Sequence, residues 1–130
     1  MYTLSLQRQF IARHFLFGGD WENEDQPHAH HYRVDVRLSG ERLDRHGYMV
    51  DLCELEPVLD ECVAQYRDRL LNDLPEFNGV NPSIENFARR FFDKLNQNLD
   101  AKNITAIEVR IWENDEAWAS FRETVPCASG

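Results

Sequence analysis

Two stretches near the start of the chain alternate with a period of two. Leu4, Leu6, Phe10, Ala12 and Leu16 share one parity, and His14 falls on it. Tyr32, Val34, Val36 and Leu38 share another, and His28 and His30 extend that row. Alternation of this kind marks half-buried strands. It predicts strands over residues 2–16 and 30–40, joined by an acidic, glycine-containing loop over 17–27. A loop of that length in a compact domain is often functional. The second strand ends near Ser39-Gly40, and Leu43–Gly47 reads as a turn. The period then changes. Leu52, Leu55, Val58, Leu59, Cys62, Val63, Tyr66 and Leu70 recur at steps of three and four, as on one face of an amphipathic helix. Asp51 stands at the N-cap position, with Glu54 three residues on in the manner of a capping box. Pro57 favours a start nearer Glu56, because proline belongs in a first turn. A connector rich in turn formers follows over 72–80. A second helix is predicted after Asn81-Pro82-Ser83, with Asn81 or Ser83 as cap and Ile84, Phe87, Ala88, Phe91, Leu95 and Leu99 as its stripe. Alternation returns over 104–112 and again over 117–124. The order ββααββ implies an α+β domain: a four-stranded antiparallel sheet with two helices on one face. Edge strands in such a sheet are open to pairing with other copies. One domain over 1–125 and a flexible tail over 126–130 are expected.

The inward parity of three histidines raises a question of partners. Side chains at i and i+2 on a strand lie about 6–7 Å apart on one face. His14, His28 and His30 are therefore either hydrogen-bonded core residues or ligands that converge on one metal ion. Three neutral imidazoles with one open position suit a catalytic zinc. His31 has the opposite parity, and His46 sits in a turn. Glu113 continues the inward row of Ile107, Val109 and Ile111, and a carboxylate there must be paired or bind something. The cysteines, Cys53, Cys62 and Cys127, fit no metal or redox motif; Cys62 lies on the helical stripe and reads as core.

Composition narrows the partners. The apolar fraction is 42%, the charged fraction 28% and the formal net charge −9. These are values of a soluble globular protein, and the negative charge disfavours nucleic-acid binding. No apolar run reaches the ~20 residues a membrane helix needs, and no signal peptide is visible, so a cytoplasmic location is expected.

Several motifs, in order, resemble the 6-pyruvoyl tetrahydropterin synthase family, which includes 6-carboxytetrahydropterin synthase. Phe-x-Ala-x-His is matched by Phe10-Ile11-Ala12-Arg13-His14. His-Gly-His-x-Tyr/Phe is matched by His28-Ala29-His30-His31-Tyr32, with alanine for glycine. Gly-x-x-x-Asp-Phe is matched by Gly47–Leu52, and Pro-Thr-x-Glu-Asn by Pro82-Ser83-Ile84-Glu85-Asn86. A late strand ending in glutamate is matched by Val109–Glu113. The resemblance runs over about residues 2–124. It implies the tunnelling fold, assembled as trimers or hexamers, and a pterin substrate, usually 7,8-dihydroneopterin triphosphate. It implies zinc on His14, His28 and His30, Glu113 anchoring the pterin ring, and Ser83 beside that ring near a subunit boundary. Pathways to queuosine or folate are the family's settings.

Two family groups have no counterpart. The usual cysteine base precedes the His-x-His, but residues 1–52 contain no cysteine, and Glu24 stands at its place. The usual Asp-His pair after the first helix falls on Tyr66–Asp73, and no histidine follows His46. Glu24 or Asp68 would then move protons, Glu24 in the manner of a branch that cleaves the pterin side chain. Arg67 and Arg69 would meet an anion or simply solvent. The resemblance thus implies a zinc-dependent pterin lyase working by triphosphate elimination or side-chain cleavage. The alternative is a non-catalytic or redirected homologue that keeps the metal and ring pocket.

Overall fold

The two alternating runs form antiparallel strands β1 (Tyr2–His14) and β2 (His28–Gly40), paired from Tyr2↔Gly40 to His14↔His28. The structure is a computed structural model that describes residues 1–18, 26–100 and 102–126. Glu24, Cys127 and the tail beyond Pro126 lie outside the described residues. β1 stops two residues short of the predicted Leu16 and β2 starts two residues before the predicted His30, because His14 and His28 close the ladder together. β3 (Ala106–Trp112) pairs with β2, and β4 (Trp118–Thr124) pairs with β3, giving an antiparallel sheet in the order β1-β2-β3-β4.

Two helices connect the strand pairs, α1 (Leu52–Ala64) and α2 (Ile84–Asn98). α1 differs from expectation at both ends. It starts at Leu52 rather than near Glu56, with the Asp51 carboxylate accepting from the Cys53 N–H at 2.9 Å. Pro57 lies inside it; both Pro57 and Cys53 are exposed, so water can take the Cys53 carbonyl that proline leaves unbonded. The helix ends at Ala64, before Tyr66 and Leu70 of the predicted stripe, although Tyr66 remains fully buried. At α2 the cap is Ser83, whose hydroxyl accepts from the Asn86 N–H at 3.2 Å.

The inner face of the sheet and both helices enclose one core. Phe87 of α2 is its aromatic hub, with ring centroids 5.0 Å from Tyr66, 5.2 Å from Tyr32, 5.9 Å from Phe77 and 6.0 Å from Phe10. Cys62 is buried, as its place on the stripe predicts. The outer face is polar. There Asp35, 2% exposed, accepts from the Ser5 hydroxyl at 2.5 Å and from Arg37 at 3.2 Å, which satisfies a carboxylate otherwise costly to bury. β1 and β4 are the sheet edges. Near its end β1 is covered: Asp68 N–H donates to the Ile11 carbonyl at 2.7 Å, and Arg13 N–H to the Arg69 carbonyl at 2.9 Å.

Candidate metal centre and adjoining recess

Strand parity and register deliver the three histidines to one place. His14 ends β1 directly opposite His28, and Ala12 stands opposite His30, so the three side chains leave the inner face side by side. Their rings form a near-symmetric propeller. Centroids lie 4.6 Å (His14–His28), 4.8 Å (His14–His30) and 4.8 Å (His28–His30) apart, with planes at 75–79°. One ligand atom from each falls within 4.8 Å of the others. Zinc–nitrogen bonds of about 2.0–2.1 Å in a tetrahedron put ligand nitrogens ~3.4 Å apart, which is the scale of this cluster.

For two of the rings, hydrogen bonds settle which nitrogen faces inward. His14 Nδ1 lies 2.9 Å from the Pro82 carbonyl, and His28 Nδ1 lies 2.9 Å from the Gln26 carbonyl. A carbonyl only accepts, so each Nδ1 carries the proton and each Nε2 presents a lone pair. Those two Nε2 atoms face each other at 3.0 Å. Two lone pairs at that distance repel unless a cation or a shared proton lies between them. The donor set therefore fits a divalent metal, with second partners holding each ring as metal-bound histidines require. The Tyr32 hydroxyl lies 3.1 Å from His14 Nδ1 as a further acceptor, and burial together with the nearby Glu113 charge pushes its ionisation up, so it stays a phenol.

Burial, reinforced by the neighbouring His30 and His28 and only partly opposed by the Pro82 bond, lowers the His14 pKa to about 4. Neutral imidazole, the ligand form, is thus held well below neutral pH. The unfolded chain takes up this proton near the ordinary value of 6.5, so it binds more protons than the folded chain between pH 6.5 and about 4. The resulting stability is fully present above 6.5 and is lost as pH falls through that window. Metal-free protein is expected to lose on the order of 2–3 kcal/mol from this source. Urea midpoints across that range should fall more steeply for the wild type than for His14→Gln.

Glu113 follows the end of β3. Its N–H donates to Ala117 at 3.2 Å, and the hairpin is pinned by Asn114, whose side-chain oxygen accepts from the N–H groups of Glu116 and Ala117. The Glu113 carboxylate lies 3.1 Å from His30 Nε2 and 3.8 Å from His14 Nε2, at the border of the histidine cluster. A recess of about 370 Å³ opens beside it, lined among others by Gln9, His30, Arg33 and Trp112. An apolar groove of about 400 Å³ lies at the other end of β1, between Tyr2 and Leu52, and holds none of these groups.

The remaining predicted site residues are less closely gathered. Ser83 caps α2 one residue from Pro82, next to the His14 partner. Asp68 is exposed with φ +60°, and its carboxylate makes no hydrogen bond or ion pair among the described residues. His31 and His46 are exposed, as parity and the turn imply. The carbonyls of Gln26 and Pro82 were missed by sequence reading, because every residue carries one.

The family model described as 6-pyruvoyl tetrahydropterin synthase matches residues 3–124. The chain belongs to that family. It is 32% identical over 119 residues to a putative 6-carboxy-5,6,7,8-tetrahydropterin synthase of Archaeoglobus fulgidus, covering 92% of this chain and 94% of that one. It is 28% identical over 107 residues to the dihydroneopterin monophosphate aldolase of Pyrococcus furiosus, covering 82% and 85%. The Plasmodium falciparum 6-pyruvoyl tetrahydropterin synthase structure shares the fold, with a TM-score of 0.80 at 16% identity over 95% of this chain and 98% of that one. The ββααββ sheet is thus the tunnelling fold of this pterin-enzyme family. Among the described residues no helix is long and apolar enough to cross a membrane.

Proposed function

We propose that this protein is a zinc-dependent lyase acting on 7,8-dihydroneopterin triphosphate or a related dihydropterin, by triphosphate elimination or side-chain cleavage. The carrying observation is the Glu113 carboxylate 3.1 Å from a nitrogen of the histidine triad, beside an open recess. A flat ring gripped by that carboxylate would hold its side chain at the imidazoles. Relatives named for the 6-carboxytetrahydropterin and dihydroneopterin monophosphate reactions support a pterin of this class. His14, His28 and His30 would hold zinc, which when bound supplies Lewis acidity toward the side-chain hydroxyls.

The protein's own groups do the rest. Glu113 accepts hydrogen bonds from the amino and ring N–H groups of the pterin. Ser83 stands beside the ring. Glu24 takes and returns protons as a carboxylate base, and Asp68 is the second candidate for that role. The edge strand β4, and β1 ahead of its covered end, support assembly as a homotrimer or hexamer, and the cytoplasm is the proposed location.

Incubation of zinc-loaded protein with 7,8-dihydroneopterin triphosphate is expected to yield an altered pterin together with free triphosphate if the side chain undergoes elimination, or with a triphosphorylated two-carbon fragment if it is cleaved, each followed by chromatography. Glu113→Gln places an amide donor where an acceptor is needed, and kcat/KM should fall at least about tenfold, the scale of one charged hydrogen bond. Glu24→Gln should abolish release; full activity would clear Glu24, and Asp68→Asn then tests the alternative. Pterin bound without turnover would favour a redirected homologue. That second reading rests on the missing cysteine in residues 1–52 and the missing histidine beyond His46.

A further inference from the structure

The chain leaves β1 at His14 without a strand beside it, yet its next backbone groups are paired. Asn72 accepts from the Phe15 N–H at 3.0 Å and donates to the Phe15 carbonyl at 3.0 Å. Asn81 accepts from the Phe17 N–H at 2.8 Å and donates to the Phe17 carbonyl at 2.9 Å. A side-chain amide offers one donor and one acceptor side by side, as a neighbouring strand would. The two clamps differ in what lies behind them. Asn72 belongs to a single 3-10 turn, Leu71–Asp73. Asn81 is followed by Pro82, whose carbonyl accepts the hydrogen bond from His14 Nδ1–H. Asn81 is itself held from α2, because Asn86 donates to its carbonyl at 2.9 Å.

These bonds close a ring. From the His14 backbone the chain runs to Phe17, crosses to the Asn81 side chain, passes to Pro82 and returns to the His14 imidazole. The backbone leaving His14 and the ring of His14 are fastened to the same dipeptide. We propose that Asn81 is a positioning residue for the metal ligand His14. It sets the Pro82 carbonyl against Nδ1, so that Nε2 presents its lone pair to the cluster. Zinc affinity enters on the reading of the previous section; the tautomer of His14 does not depend on it.

The test compares Asn81→Ala with Asn72→Ala, which removes an equivalent clamp with no link to Pro82. Nitrogen-15 NMR of metal-free protein reads the His14 tautomer and the exchange rate of its Nδ1 proton. Competition with a chelator reads zinc affinity, and urea midpoints confirm folding. In Asn81→Ala the Nδ1 proton is expected to exchange at least tenfold faster and zinc affinity to fall about tenfold, the low end for loss of a metal's outer partner. Asn72→Ala should lose similar stability with both readouts within twofold of wild type. If Asn81→Ala fails to fold, Asn86→Ala loosens the same dipeptide from behind and should shift both readouts in the same direction. Unchanged exchange and affinity in the folded Asn81 variant, or equal changes in both clamp variants, would overturn the proposal. Faster exchange in a protein whose wild type takes up no zinc would uphold the positioning role and refute the metal reading.

Discussion

Replacing His28 by alanine is expected to empty the metal centre while leaving the fold intact. Wild-type protein should carry about one zinc per chain, and His28→Ala close to none. The reason is geometric. His28 supplies one of three converging nitrogens, and its Nε2 lies only 3.0 Å from that of His14. Without it two imidazoles remain, too few for a stable site with an open position. Affinity should therefore fall by more than the 10–100-fold that loss of an outer partner brings. His28 is also the safest of the three to truncate. It is half-buried at the first residue of β2, whereas His14 is 2% exposed and would leave a cavity and an unpaired Pro82 carbonyl. A ligand that binds only the native state stabilises it by about 4 kcal/mol at a thousandfold excess over its Kd. Zinc should accordingly raise the melting temperature of the wild type and leave that of His28→Ala unmoved. Stoichiometric zinc in the variant would place the ion elsewhere.

The second large effect is expected in the core. Phe87→Ala should lower stability by about 3–5 kcal/mol, the usual range for a fully buried phenylalanine. Its ring touches the Tyr32, Tyr66, Phe77 and Phe10 rings, so no single neighbour can collapse into the space. For a domain of this size the whole stability is about 5–15 kcal/mol, and the variant sits near the edge of folding. The damage should also reach the metal. Tyr32 packs 5.2 Å from Phe87 and carries its hydroxyl to 3.1 Å from His14 Nδ1. Urea denaturation should show a lower midpoint at unchanged slope, and chelator competition a weaker site. Phe87→Leu keeps much of the volume and should lose distinctly less. A full-strength metal site in a destabilised Phe87→Ala would uncouple core from centre.

Much of this was legible from periodicity. Strand parity put His14, His28 and His30 on the inner face and His31 on the outer one, because neighbouring residues of a strand must point opposite ways. The same rule carried Glu113 inward at the end of β3. Cys62 was assigned to the core by its place on a helical stripe. The limits of α1 were not legible. Pro57 suggested a late start, but the Asp51 cap holds the first turn and solvent tolerates the unbonded carbonyl. The stripe ran on to Leu70 because Tyr66 is buried by packing on Phe87 and Phe91 rather than by helical continuation. Asn72 read as a turn former and Asn81 as one of two candidate helix caps; that each would replace a strand neighbour depended on where the chain beyond His14 passes.

By itself the sequence determined which side chains face the core and which chemical groups are present: three imidazoles and a carboxylate on inward rows. Periodicity suffices for that, since it is a property of neighbours in the chain. Only the tertiary structure decided which nitrogen of His14 and of His28 faces the cluster. That choice falls to backbone carbonyls, one of them at Pro82, 68 residues from His14. Every residue carries the same carbonyl, so only folding can single out the one that meets the ring.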